Sequence, residues 1–291
     1  MTHTHDGIDW PTRLIAMRRA DEGTEAADAG IARRLVELVP PNATLVDIGP
    51  GAGGMSAALA VALAARGGGR IILVDAVPEL LEAASDRAGR AAEGRVEIST
   101  VRVDAASGNL PDLLPSVDLV WASAVLHHLP DQQRGIIGLV RALGPGGWLA
   151  LREGGLPTRC LPWDVGVGEP GLADRLEAAH RAWFAGMRAA MPGVARMPVG
   201  WNRALADAGL VEVSSFSYLI DLPAPAAEPV RQSVVDHLTW CAGVAADWLT
   251  ESDRAAVARL LDPDDPAFAG ARDDVFVLSA STVHLGRKPA P

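Results

Sequence analysis

The stretch Leu45-Val46-Asp47-Ile48-Gly49-Pro50-Gly51-Ala52-Gly53-Gly54 decides how this chain of 291 residues is read. An apolar strand that carries an acid runs into a glycine-rich turn, and an Ala-rich helix opens near Met55. Glycine has no Cβ and tolerates φ > 0, so such a turn lets a ligand lie directly against backbone. Asp47 stands two residues before the first glycine and can present a carboxylate from the carboxyl end of the strand.

Working outward, Arg70-Ile71-Ile72-Leu73-Val74-Asp75 reads as a buried parallel strand that ends in a second acid, about 20 residues beyond the turn. Asp75 can accept hydrogen bonds from both hydroxyls of a ribose, with Ala76 beside it; the alternative is that Asp75 caps the helix predicted over Val77–Gly89. A third strand, Val96 to Val103, ends at Asp104-Ala105, where Asp104 could also cap a turn near Ser107-Gly108-Asn109. The fourth, Val117 to Ala124, passes Ala122 and leads into Val125-Leu126-His127-His128-Leu129-Pro130-Asp131. The fifth, Trp148 to Glu153, follows the turn Gly144-Pro145-Gly146-Gly147. Five strands with helices between them imply a parallel sheet, and ligands of such sheets sit outside the carboxyl ends of the strands.

Gly49, Gly51 and Gly54 also satisfy G-x-G-x-x-G, so a dinucleotide fold is the first alternative. There a pyrophosphate rests on the helix N-terminus, and a carboxylate at Asp47 would place a like charge beside it. Hydride chemistry through a Tyr-x-x-x-Lys pair is also excluded, because Tyr218 is the one tyrosine and Asp221-Leu222 follow it.

The acid before the glycine turn, the second acidic strand end and the Leu-His-His-Leu-Pro-Asp loop, in this order and spacing, resemble the class I S-adenosylmethionine (SAM) methyltransferases of small molecules. The resemblance covers about residues 43–153 and, more loosely, the last two strands. It implies an α/β, Rossmann-like fold with a seven-stranded, mostly parallel sheet and an antiparallel C-terminal strand. It also implies SAM as cofactor. Asp47 would hold the methionine end, Gly49, Pro50 and Gly51 would let the cofactor lie close, and Asp75 and Ala76 would meet the ribose. Asp104 and Ala105 would reach the adenine, and Ala122 and Leu126 would complete the cofactor site. His127 would line the acceptor pocket with Glu153; His127 and, after it, His128 are the candidate bases for the acceptor's proton. A base is dispensable in principle, because aligning an acceptor with an activated methyl group is worth roughly 7–11 kcal/mol.

The remainder is read as decoration of that core, in four parts: residues 1–41, 42–155, 156–199 and 200–291. Helices are predicted from Trp10 to Arg19 and Glu25 to Val39, split by Ala20-Asp21-Glu22-Gly23 and stopped at Pro40-Pro41. In relatives such a segment closes the cofactor cleft, which makes Trp10, Met17 and Arg18 candidate contacts. The glycine- and proline-rich stretch after Gly154 reads as an irregular loop followed by a helix, Leu172 to Met191, a substrate lid in which Trp163, Trp183 and Met187 are candidate pocket residues. A helix ends at Ala208-Gly209, and strands Val211–Leu222 and Asp274–Leu285 form the predicted edge pair. The insertion between them, about 224–272, carries helices Glu228–Leu249 and Ser252–Leu261. With Asp236, His237, Trp240 and Cys241 it could cap the pocket, dimerise or, by default, cover the sheet.

The net charge of −10 speaks against a nucleic-acid partner, whose binders need a basic face. The longest apolar run, about Met55 to Ala65, is too short for a membrane span. Met1-Thr2-His3-Thr4-His5-Asp6 has no apolar core of the kind a signal peptide needs; His3, His5 and Asp6 could chelate a metal only adventitiously. Cys160 and Cys241 have neither metal nor disulfide-framework spacing, so a reducing cytoplasm is expected. The expected partner is a small-molecule acceptor, with no metal and with oxygen slightly favoured as the methylated atom. A homodimer, a non-catalytic SAM-binding protein, a scaffold that has lost its cofactor and a peptide-end acceptor stay open.

Overall fold

The computed structural model describes residues 9–105 and 110–290. The expected turn at Ser107-Gly108-Asn109 and the His3, His5 and Asp6 group lie outside them. The described chain forms two compact units, one from Met1–Gly154, Gly193–Tyr218 and Ser281–Pro291, the other from Gly155–Pro192 and Leu219–Ala280.

The first unit begins with helix α1 (Trp10–Val36), followed by β1 (Thr44–Ile48), α2 (Gly54–Ala64), β2 (Gly69–Asp75), α3 (Pro78–Ala92) and β3 (Val96–Arg102). The chain continues through α4 (Leu110–Leu113), β4 (Val117–Ser123), α5 (Gln132–Ala142), β5 (Leu143–Arg159), α6 (Leu172–Ala189) and α7 (Trp201–Asp207). Strand β6 (Val211–Leu222), helices α8 (Glu228–Val244) and α9 (Glu251–Leu261), and strand β7 (Val277–Arg287) complete it. The sheet of seven described strands has the order β3-β2-β1-β4-β5-β7-β6. β1 pairs in parallel with both β2 and β4, and β4 with β5. Strand order therefore reverses between β1 and β4, which is where open α/β sheets form their ligand crevice. β7 is antiparallel to its neighbours: Gly147 and Glu153 of β5 lie opposite Lys288 and His284, while Glu212 and Ser217 of β6 lie opposite Arg287 and Thr282.

Side chains alternate across a strand, so the sheet has two apolar faces. Leu45, Leu119, Trp121 and Ala150 join Ile31 and Leu35 of α1, Leu59 and Leu63 of α2, and Leu81 and Ala84 of α3. Val46, Ile48, Val120 and Leu151 join Leu126, Ile136, Leu139 and Leu205 on the α5 and α7 side. α3 shows why these segments are helices. Pro78 supplies a preset φ at its start, Glu79 an acid in its first turn, and Leu80, Leu81, Ala84 and Ala88 an apolar stripe.

The predicted helix and strand ends shift at several places, such as α8, which stops at Val244, and β7, which runs Val277–Arg287; two differences have a clear physical cause. α1 is one helix through Ala20-Asp21-Glu22-Gly23 rather than two. Gly23 costs about 1 kcal/mol in a helix interior, but the Asp21 carboxylate accepts the Gly54 N–H at the start of α2 and an Arg87 N–H at 2.7 Å. Those tertiary contacts hold the segment helical. β5 extends beyond Trp148–Glu153 at both ends, and Gly144-Pro145-Gly146-Gly147 is an irregularity within it, as the register jumps from Val117↔Leu143 to Leu119↔Trp148.

In the second unit the two insertions, distant in sequence, share one core. Leu161, Leu172 and Leu176 pack with Val234, Leu238, Cys241, Leu260 and Val275. Cys241 and Leu238 thus belong to a core that both insertions build.

Gly53 precedes α2 at φ +82°, and a Cβ there would stand 2.7 Å from the Ala84 Cα of α3. Gly53→Ala is therefore expected to cost about 2–4 kcal/mol, from left-handed strain plus overpacking. Urea unfolding reads this directly, and an unchanged midpoint would mean that α2 and α3 can part at no cost.

Candidate active site

The glycine turn is built on a buried acid. Asp47 faces α2, is 1% exposed, and its Oδ2 accepts a 2.6 Å hydrogen bond from Ser56 Oγ. One hydrogen bond to a charged group contributes about 1.5–3 kcal/mol, less than the several kcal/mol of removing a carboxylate from water. Burial accordingly pushes Asp47 up to about 7, with Asp75, Asp21 and Asp28 adding like-charge repulsion and Ser56 opposing. Sequence reading assigned Asp47 a ligand but missed Ser56, whose sole signal is a hydroxyl in the otherwise apolar run of α2.

Above this acid the turn holds Gly49, Gly51 and Gly53 at φ of +67°, +57° and +82°. A Cβ on Gly49 would come within 2.6 Å of Val125 Cγ2, and one on Gly51 within 2.8 Å of Met17 Cε. α1 thus reaches the turn through Met17, and Trp10 and Arg18 lie on the same helix. It also adds two acids. Asp21 occupies the N-terminus of α2, the place where a dinucleotide fold holds its pyrophosphate. Asp28 is 5% exposed; Thr24 Oγ1 donates to its Oδ2 at 2.9 Å, and its Oδ1 is a buried oxygen with no hydrogen-bond partner. Burial raises the pKa of both.

Asp75 ends β2, and its Oδ1 accepts the Val77 N–H at 2.9 Å, so it steadies the start of α3 while standing close enough to Asp47 to repel it. The Ala76 carbonyl accepts from Arg102 Nε at 3.3 Å. Asp104 and Ala105 follow β3, where the Val103 N–H donates to the Asp75 carbonyl at 3.0 Å. Pro50, Ala122 and Leu126 are buried, and the latter two side chains belong to the α5-side core rather than to an open surface.

At the ends of β4 and β5 the chemistry changes. Leu149, Leu151 and Glu153 share one face of β5, and Glu153 is 4% exposed. Its Oε1 accepts the Val125 and Leu126 N–H groups at 2.9 and 2.8 Å, and its Oε2 lies 2.8 Å from His127 Nδ1. The His127 side chain is 25% exposed. His128 is exposed, its ring centroid 4.3 Å from that of His127. Glu153 was expected as a pocket wall; it is found beneath the loop, organising it. His284 links β7 to this point, with Nε2 3.2 Å from the Glu153 carbonyl and Nδ1 2.8 Å from Asn202 Oδ1. Burial lowers the pKa of His284.

The remaining candidates belong to the second unit. Trp183 stacks on His180 at 5.3 Å and meets Trp240 edge-on at 6.0 Å, Met187 is half-buried one turn on, and Trp163 is 71% exposed. Among the described residues no group of three or more His, Cys, Asp and Glu side chains is placed to hold a metal ion. No helix there is long and apolar enough to cross a membrane.

The raised pKa of Asp47 has a definite sign. Between the ordinary value near 3.8 and about 7 the native state binds a proton that the unfolded chain has released. This contribution is complete below about 3.8 and is lost as pH rises through about 7. Asp47→Asn is expected to flatten the fall in stability between pH 5 and pH 8, measured as the difference between variant and wild-type unfolding curves. Equal slopes in both would show that Asp47 titrates normally.

Comparison with known proteins agrees with this geometry. A family model described as "Methyltransferase domain" matches residues 46–151. The chain is 33% identical over 179 residues to a trans-aconitate 2-methyltransferase of Methylobacterium radiotolerans, covering 58% of this chain and 62% of that protein. It is 28% identical over 261 residues to a trans-aconitate 2-methyltransferase of Azoarcus sp., covering 88% and 85%. A crystal structure of a candidate methyltransferase from Bacillus halodurans superposes with a TM-score of 0.52 at 16% identity, over 91% of this chain and all of that one. With its reversed strand order, antiparallel last strands and acid-backed glycine turn, the chain has the Rossmann-like fold of class I methyltransferases, and a methyltransferase domain is matched over residues 46–151.

Proposed function

We propose that this chain binds SAM across the carboxyl ends of β1 to β4 and transfers its methyl group to a small-molecule acceptor, with oxygen favoured. The observation that carries this reading is the acid-lined glycine turn. Asp47, Asp21 and Asp28 interact electrostatically about a turn held at positive φ, against which Val125 and Met17 pack at Gly49 and Gly51. A pyrophosphate would be repelled there, whereas an ammonium or sulfonium would be attracted. The partnerless Asp28 oxygen offers an acceptor to a cationic donor. When bound, SAM supplies a methyl group already activated on sulfur.

The protein's own residues then have divided roles. Gly49, Pro50 and Gly51 admit the cofactor, Asp75 and Ala76 meet its ribose, and Asp104 and Ala105 its adenine. His127 faces the acceptor. Trp163, Trp183 and Met187 are the side chains we assign to acceptor recognition. A small-molecule acceptor is supported by the two relatives, both trans-aconitate methyltransferases. We favour a secondary metabolite. Cys160 and Cys241 are free thiols pushed up to about 12, chiefly by burial, which suits a reducing cytoplasm.

Calorimetric titration tests the cofactor. SAM and S-adenosylhomocysteine are expected to bind in the micromolar range without competition from NADH. Asp75→Ala is expected to weaken both about 10- to 100-fold, through loss of hydrogen bonds to a charged acceptor. SAM, which carries the sulfonium, is further expected to release a proton on binding at pH 6, because a cation favours ionised Asp47. Absence of adenosyl binding to folded protein would overturn the proposal.

A further inference from the structure

Glycine leaves a bare face at positions 49 and 51, and the protein covers both faces with its own side chains. A Cβ at Gly49 would meet Val125 Cγ2 at 2.6 Å, and one at Gly51 would meet Met17 Cε at 2.8 Å. Both covers come from elements held in place at a cost. Val125 follows Ala124, whose φ is +55°. Of the other non-glycine residues with positive φ among those described, Asn42 is of a type that tolerates it, Glu93 ends α3, and Glu212 stands at the start of β6. Ala124 has no such setting. It is exposed, ends no helix and lies just past the carboxyl end of β4, beside the point where strand order reverses. Strain of this kind persists only where the surroundings over-determine it, and it gathers at switch regions.

Hydrogen bonds to β5 fix Ala124. Its N–H donates to the Arg152 carbonyl at 3.0 Å, and the N–H groups of Val125 and Leu126 converge on Glu153 Oε1 at 2.9 and 2.8 Å. Successive N–H groups of an extended chain point to opposite sides, so a left-handed residue before the right-handed Val125 is what turns them toward one oxygen. Met17 is carried by α1, which also brings Asp21 and Asp28 into the field of Asp47. Burial disfavours both of those carboxylates, and Asp28 Oδ1 has no hydrogen-bond partner. Each cover is therefore tied down against an opposing strain, one of backbone geometry and one of charge.

We propose that Val125 and Met17 form a gate over the glycine turn, and that it opens about Ala124, which gives up its left-handed conformation as Val125 leaves Gly49. The inference rests on the cofactor reading above and adds to it the route by which an adenosyl ligand enters and leaves. Strain in the closed form makes opening easier, because part of what the broken hydrogen bonds cost is returned when φ relaxes. Glycine at position 124 would hold the same φ with no Cβ penalty. It would favour the closed form and slow every passage through the gate.

Surface plasmon resonance on the immobilised full chain reads both rate constants for S-adenosylhomocysteine. Ala124→Gly is expected to slow association and dissociation alike by about 3- to 10-fold, the left-handed penalty less the freedom that glycine adds, while its urea midpoint rises. Val125→Ala and Met17→Ala, which uncover Gly49 and Gly51, are expected to speed both rates by at least about twofold. Glu93→Gly relieves a left-handed residue at the end of α3 and serves as control, with a raised midpoint and unchanged rates. A midpoint that does not rise in Ala124→Gly would show that no strain is stored there. Rate changes below about twofold in Ala124→Gly, or in both uncovering variants, would show that no gate is passed. Either result would overturn the inference while the cofactor reading stood. Failure of S-adenosylhomocysteine to bind the folded wild-type chain would overturn both.

Discussion

A carboxylate removed from water has to be held, and most of the first unit can be traced to how Asp47 is held. Its partner is a serine hydroxyl on α2 at 2.6 Å, so strand and helix are tied across the glycine turn by one short bond. That bond needs the turn to reverse the chain within five residues, which the three positive-φ glycines allow. It also needs α2 to lie flat on β1, which Leu59 and Leu63 secure by packing against the same sheet face as Leu45. α1 completes the arrangement by bringing Asp21 onto the Gly54 N–H. Two acids at one helix start are unfavourable for each other, and the protein accepts that cost at the place where a cation would relieve it.

The site is therefore divided by charge along the sheet. Asp47, Asp75 and Asp104 stand at or just past the carboxyl ends of β1, β2 and β3 and make this half acidic. The His127 loop follows β4, and Glu153 of β5 lies beneath it, pairing a carboxylate with an imidazole. The division follows the alternation of side chains. Asp47 projects to the α2 side and Glu153 to the α5 side, so the two carboxylates meet different partners although their strands share β4 as a neighbour.

Much of this could be read from residue order because it depends on local pattern. Apolar runs ending in acids gave β1 and β2 nearly to the residue, and β6 was read with its full extent. What escaped the sequence depends on partners far along the chain. Gly23 signals a break in α1, but Asp21 meets Arg87 and Gly54, and no local rule sees them. Gly144 to Gly147 signals a turn, yet the neighbouring strand absorbs these residues as an irregularity. Glu153 reads as a pocket wall, but its Oε1 is taken by backbone N–H groups 27 and 28 positions earlier and its Oε2 faces His127. The insertions read as two decorations, and only their shared core around Leu172, Leu238 and Leu260 shows them to be one.

The place of β7 between β5 and β6 has a consequence for biosynthesis. Residues 143–159 and 211–222 are made well before residues 277–287, yet these strands have no shared neighbour until β7 enters. A nascent chain that has not reached Val277 exposes unpaired strand edges on both, the kind of surface that recruits other chains. The sheet therefore closes late, by insertion of a strand between β5 and β6 rather than by addition at an edge. Chaperone protection during synthesis, more than the stability of the finished fold, would then set how much of this protein a cell can accumulate.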